Sequence, residues 1–239
     1  MNPSMDEIRK YYDRDLGKQK QYYTLGSPRH RIMLRTVSRL VELFPSRKLR
    51  VLDIGCGAGN SIRQLILAGV AEPGNICGIE LSPVLAEFAR TNSGGVLVQE
   101  LDITENLSPR SERDRFDIII LMDVYEHILP ERRFQIWDNV SKALANRAVV
   151  YLAFPDGPGG NPQITDFQVE IGEVLSMVKP FELDLWSFEI VSLWRPCDYR
   201  VAVLQHGLVP KAPVPILSPL SRSGDGITQK TGTGVGLGV

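Results

Sequence analysis

Three cysteines in 239 residues, Cys56, Cys77 and Cys197, are too few and too scattered for a disulfide framework. They contain no CxxC pair for a structural zinc, so a reducing compartment is expected. Long apolar runs are missing too: none approaches the roughly 18 residues of a membrane span. The N-terminus, MNPSMDEIRKYYDRD, lacks the apolar stretch of a signal peptide. These absences predict a cytoplasmic protein with no membrane span.

A net excess of either charge is also absent, with 27 Lys and Arg against 28 Asp and Glu. The distribution is uneven, because the first fifty residues hold twelve basic and five acidic side chains. This segment reads first as a solvated helical face and second as a surface steering an anionic ligand or nucleic acid. No basic stripe interleaved with aromatics runs through the rest of the chain, so nucleic acid is not the expected partner.

The chain is long enough to bury a full core and fits one α/β domain with appendages. Residues 1–46 read as a helical N-terminal extension, 47–206 as the core and 207–239 as a Gly/Pro-rich tail. The extension carries the pairs Tyr11-Tyr12 and Tyr22-Tyr23, then a break at Gly26-Ser27-Pro28. After it, Ile32, Leu34, Val37, Leu40, Val41 and Phe44 follow helical spacing.

From Arg50 strands and helices alternate. Strands are expected at 50–54, Ile76 to Glu80, Val96 to Gln99, Phe116 to Met122 and Ala148 to Phe154. Helices fall between them, one opened by the N-cap Ser82 with Pro83 behind it. In the helix from about Pro130, Phe134, Trp137, Val140 and Leu144 are expected to face inward. A helix from Phe167 to Val178 precedes two strands, Leu183 to Ser192 and Arg200 to Gln205, whose short connection makes an antiparallel pair. Such alternation implies a parallel sheet with helices on both faces and ligands at the carboxyl ends of the strands. The tail, ending TGTGVGLGV, is read as disordered, with docking on a neighbouring subunit or on the site as the alternative.

Within this pattern Val51 to Ser61, VLDIGCGAGNS, reads as strand, tight turn, helix. Gly55, Gly57 and Gly59 permit left-handed backbone and close approach of a ligand, and the helix start offers unpaired N–H groups. Cys56 sits where the turn needs a small side chain. A dinucleotide fingerprint has the form GxGxxG, but here the third glycine comes one place early.

The strand, Asp and GxGxG turn, followed by an acidic residue closing the second strand, resemble class I S-adenosylmethionine (SAM) methyltransferases over about residues 50 to 205. The resemblance rests on VLDIGCGAGN, GIELSP, LDIT, FDIIILMDVYEHI and YLAFP, and is nearest to the small-molecule branch that includes ubiquinone-biosynthesis O-methyltransferases. It implies a Rossmann-like doubly wound sheet of about seven strands, mostly parallel with an antiparallel last strand, under a helical N-terminal lid.

It also implies a set of roles. Gly55, Cys56 and Gly57 would face the methionine part of SAM, with Asp53 orienting the turn. Glu80 would accept hydrogen bonds from the ribose hydroxyls, and Leu81 would pack on adenine. Asp102 and Ile103 would frame the adenine edge, while Met122 and Asp123 would flank the methionyl portion. Arg29 and Arg31 both stand as partners for the SAM carboxylate, because a guanidinium fork suits a carboxylate. One of the four tyrosines, with Tyr22 named among the cofactor contacts, would close the lid.

The expected reaction is methyl transfer to a small-molecule acceptor, at a hydroxyl oxygen first and nitrogen second, leaving S-adenosylhomocysteine, in small-molecule or secondary metabolism. Asp123, Glu126 and His127 follow the fourth strand, and His127 is the natural general base. The same three residues match a divalent-cation pattern of some relatives, including small-RNA 2′-O-methyltransferases. The second histidine cluster of those enzymes is missing from AFPDGPGGN, so a metal is not the expectation. An RNA or protein methyltransferase and a non-catalytic SAM-binding regulator are the alternatives, and a homodimer is left open.

Overall fold

The computed structural model describes residues 5–14, 16–44, 48–105, 107, 115–155, 167–194 and 197–207. The tail beyond Gly207 and most of the glycine-rich stretch after Pro155 therefore lie outside the described residues. Three helices open the chain: α1 (Met5–Arg14), α2 (Leu16–Leu25) and α3 (Pro28–Leu40). The third starts where Ser27 caps the His30 N–H and Pro28 supplies a preset first turn.

Strands and helices then alternate as β1 (Val51–Ile54), α4 (Asn60–Leu67), β2 (Ile76–Glu80), α5 (Pro83–Asn92), β3 (Leu97–Glu100), β4 (Phe116–Met122), α6 (Arg133–Ala143) and β5 (Leu144–Pro155). They are followed by α7 (Ile171–Val178), β6 (Asp184–Trp194) and β7 (Cys197–His206). The seven strands lie in the order β3-β2-β1-β4-β5-β7-β6. The first five are parallel, and β7 runs antiparallel to both of its neighbours. The order reverses between β1 and β4, which makes the space above their carboxyl ends the natural ligand crevice.

Apolar side chains fill both faces of the sheet. Met33, Val37, Leu40 and Phe44 of the α3 region pack with Val51, Ile118, Ile120 and Tyr151 on one face. On the other, Trp137 and Val140 of α6 meet Leu52, Ile119, Leu121 and Val150. A strand such as β4 is therefore buried on both sides, as its continuous apolar run requires.

Four details differ from the sequence expectations. Phe134 is 54% exposed and stacks at 5.2 Å on Phe181, whereas its neighbour Arg133 is 1% exposed. The inner stripe of α6 runs through Arg133, Ile136, Trp137, Val140 and Ala143, because Arg133 has a carboxylate and two carbonyls waiting inside. β5 begins four residues early, at Leu144, since Leu144 already pairs with Phe116. α7 begins at Ile171 instead of Phe167, and β3 is shifted one residue, to Leu97–Glu100.

Candidate functional site

The glycine turn is built by backbone alone. Gly55 N–H and Cys56 N–H both donate to the Ile79 carbonyl, at 2.8 and 3.0 Å, tying the end of β1 to β2. Gly55, Gly57 and Gly59 all adopt positive φ, and a Cβ on Gly55 would lie 2.3 Å from Val124 Cγ2. Cys56 is buried, and its sulfur occupies the space that a Cβ on Gly78 would need, 2.8 Å away. Burial pushes its thiol well above the ordinary range, so it acts as a wedge and not as a nucleophile.

Glu80 closes β2 with its carboxylate spread over two backbone donors, Gly57 N–H and Ser82 N–H, each at 2.8 Å. Burial raises its pKa, and the backbone N–H groups of Ser82, Gly57 and Leu81 work against that rise by stabilising the anion. Asp53 lies beneath, in the middle of the sheet. Burial, with the Glu80 charge second, pushes its carboxyl up to about 8, so it is mostly protonated at neutral pH. Asp53 makes no bond to the turn N–H groups, which go to Ile79, Glu80 and Cys56, and its Oδ2 has no hydrogen-bond partner.

Next to the turn, Asp102 is fixed by the N–H and hydroxyl of Thr104 at 2.9 and 2.8 Å. Asp123 follows β4 with φ +58, its N–H on the Ala153 carbonyl. Its carboxylate is held by Arg29 Nη1 on one oxygen and by the Tyr199 hydroxyl on the other. His127 ends a short 3₁₀ turn, Tyr125–His127, with Nε2 3.8 Å from the buried Glu126 carboxylate. Its ring meets Tyr12 of α1 edge-on at 5.6 Å.

These groups surround one cavity of about 170 Å³. Arg29, Gly55, Cys56, Gly57, Glu80, Leu81, Asp102, Ile103, Met122, Asp123 and His127 all line it. Three expected residues do not: Asp53 is beneath the floor, Glu126 stands behind His127, and Arg31 is exposed on the outer side of α3. Of the two arginines considered, only Arg29 is at the cavity. The side chain of Tyr22 lies outside the described residues. No group of three His, Cys, Asp or Glu side chains is arranged to hold a metal among the described residues, and Asp123 is engaged by a cation and a phenol.

Sequence reasoning missed several wall residues. The N-terminal helices reach the cavity through Ile8, Lys18 and Gln19, beside Tyr12, one of the four tyrosines that the sequence names for the lid. Gln19 accepts from Asn60 Nδ2 at 3.3 Å and sits 3.4 Å from where a Gly57 Cβ would be, while Asp13 accepts from Ser82 Oγ at 2.6 Å. His30 lines the wall beside Arg29, with Nδ1 2.6 Å from Ser27 Oγ. Burial, then the Arg29 charge, lower its pKa to about 4, so it is neutral at physiological pH. The break at Gly26-Ser27-Pro28 marked the start of the helical segment, but nothing in it placed His30 at the site.

A glycine turn at the β1–α4 crossing, a carboxylate closing β2 and an antiparallel β7 together make a Rossmann-like fold with the architecture of solved methyltransferases. Residues 52–150 match the family model described as a methyltransferase domain. The ubiquinone biosynthesis O-methyltransferase of Methylocella silvestris is 31% identical over 128 residues, covering 52% of this chain and 44% of that protein. The chain spans about half the length of the curated relatives it matches. Among solved structures, the Synechocystis magnesium protoporphyrin IX methyltransferase with bound S-adenosylhomocysteine is similar at TM-score 0.64 and 16% identity, covering 84% of this chain and 99% of that one. The N-methyltransferase NodS of Bradyrhizobium japonicum, also with S-adenosylhomocysteine, gives TM-score 0.64 at 15% identity over 84% and 98%. No helix among the described residues is long and apolar enough to cross a membrane.

Proposed function

We propose that the protein transfers a methyl group from SAM to a small-molecule acceptor, at a hydroxyl oxygen first and nitrogen second. The observation that carries this reading is the convergence on one cavity of the Gly55–Gly57 backbone, the Glu80 carboxylate, the Asp102-Ile103 edge and the His127 imidazole.

The residues present fit the cofactor. Glu80 is already fixed by two N–H groups and retains lone pairs for ribose hydroxyls. Asn60 Oδ1, at the cavity wall, is buried and lacks a hydrogen-bond partner, which suits the ammonium or a hydroxyl of a bound ligand. Leu81 and Ile103 offer apolar surface for adenine, and Arg29 offers a guanidinium to the carboxylate. Bound SAM would supply an electrophilic methyl on a sulfonium sulfur.

The protein's own tasks are positioning, water exclusion and removal of a proton. Tyr12 and Ile8 roof the acceptor side. A phenolic acceptor, with pKa near 10, must lose its proton as the methyl arrives, and a ring nitrogen of His127, which lines the cavity, takes it in this reading. Glu126, buried 3.8 Å behind, then stabilises the imidazolium and acts through His127 without touching the acceptor. No step requires a cation.

The test is calorimetric binding of S-adenosylhomocysteine, followed by labelled-methyl transfer to a panel of phenols, catechols and amines. His127→Ala is expected to slow transfer by about 10²- to 10⁴-fold, the usual worth of a general base, with S-adenosylhomocysteine affinity nearly intact. Loss of that affinity would contradict the role given to His127, and absence of binding to the unaltered protein would remove the methyltransferase reading. Turnover that collapses with a chelator would replace the base by a metal.

A further inference from the structure

Tyr199 has no part in the mechanism above and does not line the cavity, yet its hydroxyl bonds to two groups that do, Arg29 and Asp123. It lies on β7, opposite Pro155 of β5 and Val191 of β6, and is buried. Its hydroxyl donates to Asp123 Oδ1, while Arg29 Nη1 donates to Asp123 Oδ2 and lies 3.2 Å from the Tyr199 oxygen. The Arg29 guanidinium carbon is 6.0 Å from the Tyr199 ring centroid. Three elements far apart in sequence, the first turn of α3, the residue after β4 and the start of β7, thus close a ring of polar contacts.

The ring has a direction. Arg29 and Asp123 face the cavity, and Tyr199 supports both from the protein side. Asp123 stands at φ +58, a left-handed conformation in which aspartate is tolerated but not preferred, so its carboxylate needs an anchor beyond its own backbone. Burial and the Asp123 charge push the Tyr199 phenol far up, which keeps it a donor at every working pH. A long arginine side chain loses much rotamer freedom when fixed, and two partners held in register reduce what a ligand must still order.

We propose that Tyr199 is a positioning residue for the amino-acid end of the cofactor: by holding Asp123 and Arg29 from behind, it fixes the guanidinium where the SAM carboxylate docks. This rests on the methyltransferase reading above.

The test uses calorimetry on the full chain with two ligands, S-adenosylhomocysteine and 5′-methylthioadenosine, which keeps the adenosine and the sulfur but has no amino-acid carboxylate. Tyr199→Phe removes one hydroxyl and no volume of the ring. It is expected to weaken S-adenosylhomocysteine about tenfold, in the range of a hydrogen bond to a charged group, and to change 5′-methylthioadenosine affinity less than twofold. In turnover, KM for SAM rises while kcat at saturating SAM is unchanged. Arg29→Lys keeps the charge but not the fork, and it should show the same ligand-selective loss. Equal weakening of both ligands, or unchanged S-adenosylhomocysteine affinity, overturns the proposal. An unaltered protein that binds neither ligand instead removes the methyltransferase reading, so the two failures are told apart.

Discussion

Replacing Asp53 by Asn should make the protein more stable, and increasingly so as pH rises. Asp53 sits in β1 between β2 and β4, fully buried, with Oδ2 unpaired and the Glu80 carboxylate close enough to raise its pKa. Its carboxyl moves from an ordinary 3.8 to about 8. Between these values the unfolded chain is ionised at this position while the folded chain keeps the proton. The folded state therefore binds more protons, and stability falls as pH rises, by about 1.4 kcal/mol per unit. Above about pH 8 the folded group ionises as well and the slope ends. At pH 7 the accumulated cost is about 4 kcal/mol, a large part of the roughly 5–15 kcal/mol that holds a domain folded.

Asparagine has the same shape and no charge to lose. Its added N–H donors find no partner, which subtracts about 1–3 kcal/mol at every pH, so the slope, and not the value at one pH, is the test. Glu80 is raised too, but it is present in both proteins and cancels to first order. Urea or thermal unfolding followed by circular dichroism at pH 5, 6, 7 and 8, at constant ionic strength, measures the difference. Asp53→Asn should gain about 4 kcal/mol on the unaltered protein across that range, or on the order of 10 °C in Tm at 2–4 °C per kcal/mol. Parallel stability curves would refute the reasoning, because they would mean that Asp53 is ionised in the folded state.

Other substitutions separate the remaining claims. Gly55→Ala forces a Cβ to 2.3 Å from Val124 in a left-handed conformation and should cost about 2–5 kcal/mol in unfolding free energy. Gly172→Ala, in α7 with open space around it, should instead stabilise by about 0.5–1 kcal/mol. Glu80→Gln should raise the Kd for S-adenosylhomocysteine by roughly 10- to 150-fold, since hydrogen bonds to a charged acceptor contribute about 1.5–3 kcal/mol. Unchanged affinity in a folded Glu80→Gln protein would mean that the ribose is read elsewhere. Arg133→Ala strands the Glu173 carboxylate and the Ile128 and Gln168 carbonyls, and should destabilise by about 3–5 kcal/mol, whereas Phe134→Ala at the exposed neighbouring position should cost under about 1.5 kcal/mol.

The parts of the fold legible from sequence were those whose cause is local. β4 is a continuous apolar run because it is covered on both faces, and Ser82 followed by Pro83 starts a helix by satisfying its own first turn. α6 shows where local reading ends. Periodicity put Phe134 inside on hydrophobicity alone, but the inner position is occupied by Arg133, whose partners Glu173 and the Gln168 carbonyl come from a segment about forty residues further on. A buried guanidinium is favourable only when such partners exist, and no local pattern reports them.

The same division runs through the candidate site. Gly55, Gly57, Glu80, Asp102 and Asp123 are strand-end residues, so once the strands alternate they must gather at one edge of the sheet. The opposite wall comes from helices α1 to α3, which add no strand and share no register with the sheet. Their placement depends on single long-range contacts, Asp13 with Ser82, Gln19 with Asn60 and Arg29 with Asp123. Each contact joins residues at least 41 positions apart, and each N-terminal partner looks like an ordinary solvated helix residue in sequence. For that reason Arg29 and Arg31 were indistinguishable beforehand, and the Asp123 carboxylate is what separates them. A helix turn presents positions 29 and 31 on different sides, so once one guanidinium is drawn to the end of β4, the other is turned to solvent.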